Sequence, residues 1–327
     1  MPDQKPKIRP SIKQRLIFTI AVAVIYALVL YVIVWMPAGS AIPFISGLIL
    51  VPMAIASVAS AAMDPLGQDT VWRHIKIGWI CITAFIVIAV LVFREAGICA
   101  IMAAPIFYLG SALGSAISGL SLRKWRSRSV SSCLVVLPLL ALPAEPFMPA
   151  PVLDEQVQSV VVIDAPLETV WKNTVEIPKI APQELMWTFS HGVVGVPQPI
   201  DARLEGAGVG AVRYLRWTHG VTFEEVVTDW QPGRHLAWTF RFGPQSIPDA
   251  VEGHIKIDSS YLRIANGDYR LDPLPDGKTR LSLTTHYAIA TPINVYCAWW
   301  GSIFLRDFHG TVLNVIQKRS EAEARSS

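Results

Sequence analysis

Arg213 and Glu225 are the charged residues best spaced to work together. They fall on successive predicted strands, 209–217 and 221–229, joined by the turn Thr218-His219-Gly220. Facing an apolar interior, such a pair could orient a ligand carbonyl or carboxylate, because a charge there must be paired to be tolerated. Facing solvent, it would be a cross-strand pair contributing less than about 1 kcal/mol. His286 is a further polar candidate, with His219, His235 and His254 weaker ones. His286 alternates with Ser282 and Thr284, opposite Leu281 and Leu283, so it is expected on the outer, exposed face. The apolar candidates come from periodicity. Alternation over 235–242 puts Leu236, Trp238, Phe240 and Phe242 on one face. Near the C-terminus, Tyr296, Trp300, Phe304, Phe308, Val312 and Val315 recur at three- and four-residue steps. Any one of these rings can simply fill a core; together they make an apolar cavity plausible, since ligand pockets are lined mainly by apolar side chains. The candidate ligand-binding set is therefore Arg213, Glu225, Trp238, Phe240, Tyr296, Trp300 and Phe304.

Other chemistries lack their residues. There is no nucleophile elbow, phosphate-cradling loop, HExxH or paired metal-ligand spacing. GAGVG at 206–210 precedes a strand instead of opening a helix, so it reads as a turn. Cys81, Cys99, Cys133 and Cys297 form no CxxC or Cys/His cluster and read as small apolar fillers. No metal and no cofactor is implied.

These residues sit in the second half of a chain of two compositions. Of 327 residues, 52% are hydrophobic and 16% charged, against about 25% charged in ordinary soluble proteins. Residues 1–150 carry 12 basic and 5 acidic side chains, net +7; residues 151–327 carry 16 and 20, net −4. An apolar basic half and an acidic mixed half suit two solvents. With the basic residues at membrane boundaries, nucleic acid is not an expected partner.

In the second half, a strand at 156–163 precedes a helix with Asp164 as its expected N-cap and Pro166 in its first turn. A short helix is predicted over 178–189. Strands follow at 209–217, 221–229, 235–242, 251–257, 261–271 and 279–289, broken by THG (218–220), QPG (231–233), NGD (266–268) and LPDG (274–277). A long helix over about 292–323 closes the chain. VVVIDAPLETVW (160–171), GVGAVRYLRW (208–217), EEVVTDWQPGRHLAW (224–238) and TRLSLTTHY (279–287), in that order, resemble the START-like, or SRPBCC, helix-grip superfamily, near its polyketide cyclase/dehydrase and lipid-transport domains. The resemblance covers about 155–320. It implies an α+β fold, an antiparallel sheet wrapped around the long C-terminal helix, with an apolar cavity between them.

The first half reads as a multi-pass α-helical membrane bundle. Four stretches, about 16–36, 41–62, 77–93 and 97–120, meet the roughly 20 apolar residues of a membrane span and contain no Asp, Glu, Lys, Arg or His. Without ionisable residues in the spans, the bundle is expected to anchor and pack helices and not to transport. Gly110, Gly114 and Ser118 offer a close-packing face for a partner helix. A fifth stretch, 129–147, carries Pro138 and Pro143. Basic residues at 5–15, at Arg73 and Lys76, and at 123–128 put the N-terminus in the cytoplasm by the positive-inside rule. If 129–147 spans, the following domain is extracytoplasmic; if it is re-entrant, the domain stays inside. Spanning is the expectation, in the plasma or inner membrane. The divisions are thus a basic cytoplasmic tail (1–15), a transmembrane region (16–147), a Pro-rich linker (148–154) and the helix-grip domain (155–323).

Three functions fit: a membrane-anchored module binding an apolar small molecule or lipid; a cyclase- or dehydratase-like enzyme using Glu225 or a histidine as general acid or base; or a regulatory or structural membrane protein with a partner-binding domain. The lack of a catalytic constellation favours binding over catalysis, with membrane lipids as surroundings.

Overall fold

The computed structural model describes residues 12–35, 43–92, 97–125, 129–148, 150–248, 251 and 257–326. The N-terminal tail over 1–11 and most of the expected strand at 251–257, His254 included, lie outside the described residues. The chain divides into two compact units, 1–95 with 100–149, and 96–99 with 150–327. Each is described by itself.

Among the described residues of the apolar half, four helices are long and apolar enough to cross a membrane. They are α1 (Ile12–Trp35), a π-turn at Phe44–Leu50 continuing into α2 (Val51–Met63), α3 (Val71–Val92) and α4 (Gly97–Trp125). Because α3 begins at Val71 and not at 77, it includes Arg73, His74 and Lys76, which corrects the expectation of spans free of ionisable residues. His74 is buried, with Nε2 3.5 Å from Oδ2 of Asp64, the residue that ends α2. The Asp64 carboxylate also accepts the Asp69 N–H at 2.7 Å, so it caps the turn leading into α3.

Small residues set the packing of α4. A Cβ on Gly114 would lie 2.4 Å from the Met53 carbonyl oxygen, and one on Gly110 3.0 Å from the Pro52 ring, so this side abuts α2. Ser118 donates to Ser57 on the same side at 3.0 Å. On the next side, the Ser111 and Ser115 hydroxyls lie against Gly78 of α3, where a Cβ would meet them at 2.8 and 2.4 Å. The stripe of small residues thus meets helices of its own chain, as close-approach packing in membranes requires.

The stretch 129–147 is not one helix. α5 covers Ser129–Ala141, 13 residues, and a 3₁₀ turn follows at Glu145–Phe147. The helix alone falls short of the roughly 17-residue lower limit for a span. The Glu145 carboxylate accepts the backbone N–H groups of Ile45 (2.6 Å) and Ser46 (2.9 Å) and the Ser46 hydroxyl. It thereby satisfies orphan donors at a helix start, where a negative charge is favoured.

In the second unit, among the described residues, seven strands form one antiparallel sheet: β1 (Val152–Ile163), β2 (Pro199–Glu205), β3 (Val212–Trp217), β4 (Thr222–Gln231), β5 (His235–Arg241), β6 (Leu262–Pro273) and β7 (Thr279–Ala290), in the order β1-β7-β6-β5-β4-β3-β2. Helix α6 (Leu167–Val175) follows β1, and the long α7 (Asn294–Ser326) ends the chain. Several expectations change. β1 begins at Val152, inside the expected linker. β2 had no counterpart in the sequence reading. The N-cap of α6 is Pro166 without a side-chain bond, not Asp164. The expected helix at 178–189 is a 3₁₀ turn, Pro182–Glu184, in extended chain. NGD lies within β6, beside a bulge between Ile264 and Asn266, and is not a turn. GAGVG is a turn, with positive φ at Gly206, Gly208 and Gly210.

Helix α7 covers only part of the sheet. Leu305 packs with Val157, Tyr287 and Ile289 of β1 and β7. Buried His309 sits between the same strands, 2.9 Å from the Thr285 hydroxyl through Nε2 and 3.2 Å from the Ser159 hydroxyl through Nδ1. Farther along α7, Leu313, Val315 and Ile316 join Ile163, Leu271, Leu281 and Leu283 in the main core.

Candidate functional site

Strand register brings Arg213 and Glu225 together. They are directly opposite across β3 and β4, and Nη1 of Arg213 donates to Oε2 of Glu225 at 2.5 Å. Both are buried, Arg213 at 1% exposure, so the pair faces the interior. Arg213 also donates to the Thr174 carbonyl of α6 at 3.3 Å, and its guanidinium stands 5.4 Å from the Trp238 ring and 5.6 Å from the Tyr269 ring. Cation–π attraction of this kind strengthens when desolvated. Two buried donors nearby, Arg213 Nε and Trp238 Nε1, have no acceptor among the described residues. Burial raises the Glu225 carboxyl to about 7 although Arg213 opposes the shift, and burial raises the Tyr269 phenol to about 12.

Trp238 reaches this position because β6 carries glycine opposite it. In register with Trp238, Gly267 has no side chain, and a Cβ there would lie 2.8 Å from the indole.

From the ion pair a chain of rings runs along the inner face of β3–β5. Trp238 meets Phe240 (6.1 Å), Phe240 meets Phe223 (6.1 Å), and Phe223 meets Phe242 (5.4 Å) and Trp217 (6.0 Å). Trp217 then meets Phe308 of α7 edge-on at 5.2 Å, and Phe308 stacks on His191 at 5.6 Å. Trp217, Phe223, Phe240, Phe242 and Phe308 all keep solvent-accessible surface, whereas Leu281, Leu283, Thr285 and Tyr287 on the inner face of β7 are buried. Under α7 the inner face is filled; over β3–β5 it is an accessible aromatic surface with a buried ion pair at one end.

Tyr296, Trp300 and Phe304 belong to a second cluster at the start of α7. Trp300 meets Phe304 (5.5 Å), Phe189 (6.5 Å) and Tyr296 (6.5 Å). The structure brings Arg213, Glu225, Trp238 and Phe240 together, whereas Tyr296, Trp300 and Phe304 form their own ring cluster along the first turns of α7. His219 is exposed in a turn at φ 60°. His235 is held between Asp229 (2.6 Å) and Asp268 (3.4 Å). His286 lies on the outer face, as its alternation implies, but is half-buried, lining a polar groove of about 560 Å³ with Asp154, Gln156, Arg263 and Asn266. No cluster of three His, Cys, Asp or Glu able to hold a metal occurs among the described residues.

Sequence reasoning missed Trp217, Phe223, Tyr269, His191 and His309. The first two share the alternation of Arg213 and Glu225 on their strands, so extending it two steps from Arg213 and one step from Glu225 would have found them. Tyr269 was hidden by the turn reading of NGD. His191 and His309 are placed by tertiary packing alone.

No protein-family model matches the chain, and no curated protein matches it. Similar solved structures include a structural-genomics protein from Nitrosospira multiformis (18% identity, 52% of this chain and 99% of that chain, TM-score 0.32). Others are the Zhui aromatase/cyclase of Streptomyces sp. R1128 (14%, 54% and 97%, TM-score 0.34) and the di-domain aromatase/cyclase StfQ of the steffimycin pathway (11%, 63% and 61%, TM-score 0.35).

Proposed function

We propose that this chain is a membrane-anchored binding protein whose second unit holds an apolar small molecule or lipid against the aromatic inner face of β3–β5, with a carbonyl or carboxylate of the ligand directed to Arg213. The observation that carries this reading is the run of rings from buried Trp238 through the partly accessible Phe240, Phe223, Trp217 and Phe308, starting at a buried ion pair beside the unused donors Arg213 Nε and Trp238 Nε1. Apolar lining with a few convergent polar groups is the usual make-up of a small-molecule site. The anchor is the set of four membrane-length helices, with the N-terminus cytoplasmic and the second unit on the opposite side of the membrane. The basic loops and the Glu145 contact at the start of the second span support that orientation.

The test is photo-crosslinking of the full chain in nanodiscs with a diazirine-bearing fatty acid, followed by peptide mapping. Labelled peptides within 213–242 and around Phe308 are expected. Labelling confined to 12–141, the pattern of lipids surrounding the helices, would overturn the proposal.

One observation favours a catalytic reading of the same site. A carboxyl near 7 inside an apolar face can both give and take a proton at neutral pH, as a general acid or base must. Any compound extracted with the protein should then change mass on incubation with wild type and not with Glu225→Gln. Identical masses in both would leave binding as the function.

A further inference from the structure

A second apolar surface lies away from the ion pair. The loop before β2 and the first turns of α7 expose large apolar side chains: Trp187 at 72%, Phe189 at 36%, Val193 at 56%, Val295 at 82% and Trp299 at 54%. They are linked, not scattered. Phe189 stacks on Trp300, which touches Trp299 at 4.9 Å, and Val295 is one helical turn from Trp299. Trp187 lies against Gly192, where a Cβ would meet its Nε1 at 2.1 Å. Asp307 of α7 fixes this loop, accepting the Ser190 N–H at 2.8 Å and its hydroxyl at 2.6 Å. The rings are therefore presented on a braced surface. Contiguous exposed apolar patches mark interaction sites, and Trp in particular suits the layer between water and lipid.

We propose that this rim of Trp187, Phe189, Val193, Val295 and Trp299 docks into the headgroup layer of the bilayer that anchors the same chain. The tether favours a lipid surface over another occupant. Only ten residues separate the end of α5 at Ala141 from the start of β1 at Val152. At roughly 3.5 Å per residue, that segment spans at most about 35 Å, so the unit stays within reach of the membrane surface at all times. Tethering of this kind raises the effective concentration of the bilayer at the rim, so even a modest apolar patch would remain engaged. This inference does not depend on whether β3–β5 hold a ligand.

The experiment uses the full chain in phosphatidylcholine/phosphatidylglycerol nanodiscs, with Cys81, Cys99, Cys133 and Cys297 replaced by alanine. Single cysteines at 187, 193, 299 and, as control, 209 carry an environment-sensitive nitrobenzoxadiazole label. Val209 is also exposed but lies in the turn at the other end of β3. Nitroxide-bearing lipids should quench the 187, 193 and 299 labels several-fold more than the 209 label, and aqueous iodide several-fold less. Equal quenching at all four positions would overturn the proposal. So would labels shielded from both quenchers, the signature of a protein partner or second copy. A parallel arm needs no substitution: hydroxyl-radical oxidation of Trp187 and Trp299 in the wild-type chain should be several-fold lower in nanodiscs than in amphipol, and equal oxidation would count equally against the proposal.

Discussion

At the scale of single residues, the Arg213–Glu225 pair and His309 carry opposite electrostatic risks. Removing one partner of a buried pair leaves the other charge uncompensated, which costs about 3–5 kcal/mol. Arg213→Met should therefore destabilise the second unit by about that amount near pH 8, read by denaturant unfolding of the full chain in detergent. The cost should shrink near pH 6, because Glu225, already raised to about 7 and then freed of Arg213, takes a proton and becomes neutral. Adding Glu225→Gln to Arg213→Met should recover part of the loss; a double variant as unstable as the sum of the singles would refute the coupling. His309 acts in the other direction. Burial lowers it from 6.5 to about 4, so the folded state holds it neutral while the unfolded chain binds the proton. Its stabilising contribution is present above about 6.5 and is lost as pH falls towards 4, with an upper bound of about 3 kcal/mol. Glu225 opposes this trend, since a raised carboxyl pKa adds stability below neutral pH. The measurable quantity is thus the pH dependence of wild type minus that of His309→Gln, which should rise with pH between 4 and 6.5. A flat difference would show that His309 does not titrate as its burial implies.

Individual elements were legible where pattern and packing agreed. Alternation on β5 and the stripe on α7 follow from one buried face each, so Trp238, Phe240, Trp300 and Phe304 could be placed without coordinates. Arg213 and Glu225 could be paired because a short turn fixes hairpin register. Elements held by long-range bonds were not legible. The segment 178–184, read as part of a helix, is instead held by Arg319 of α7, more than 130 positions away. That guanidinium donates to both Glu184 oxygens at 2.6 and 3.0 Å and to the carbonyls of Pro178 and Lys179 at 2.7 and 2.9 Å. Glu184 in turn accepts the Ala181 N–H at 2.7 Å, and its carboxyl is held below the usual carboxylate range by the Arg319 hydrogen bond. β2 was missed although Ile200, Ala202 and Leu204 alternate with Asp201, Arg203 and Glu205: the run is short and opens on a proline, and its edge position depends on pairing with β3 and on Ile177 bridging Ala202. Arg319→Ala should free the 178–184 segment while leaving the β6–β7 pairing intact. Amide exchange over 178–185 should accelerate at least tenfold, with a stability loss of about 1–3 kcal/mol from the unpaired groups. Unchanged exchange there would mean that the loop is held by its own turns.

For the whole molecule the deciding feature is the direction in which α5 runs. Gly67, in the turn between α2 and α3, packs against the Leu122 backbone near the end of α4, so these two regions share one end of the bundle. Arg73, Lys76, Arg123 and Lys124 gather there, the end that the positive-inside rule assigns to the cytoplasm. Phe44, at the other end of the second span, is next to Ile45 and Ser46, whose N–H groups bind Glu145. The chain from Ser129 to Glu145 therefore passes from the basic end to the opposite one. It does so with a 13-residue helix and a turn instead of a full-length span, its proline-interrupted backbone braced by the Tyr26 hydroxyl donating to the Val135 carbonyl at 2.5 Å. A thirteen-residue helix reaches about 20 Å, and the turn to Glu145 supplies part of the remaining bilayer thickness. The second unit should then emerge on the extracytoplasmic side. Alkaline phosphatase fused after residue 327 should be active in cells, and a green fluorescent protein fused there through the general secretory route should be dark. Neutralising Arg123, Lys124, Arg126 and Arg128 together should lower the phosphatase signal, because those charges hold the preceding loop inside. A fluorescent, phosphatase-negative C-terminus would show that 129–147 dips in and returns, and would place the aromatic face of β3–β5 before the cytoplasmic leaflet instead.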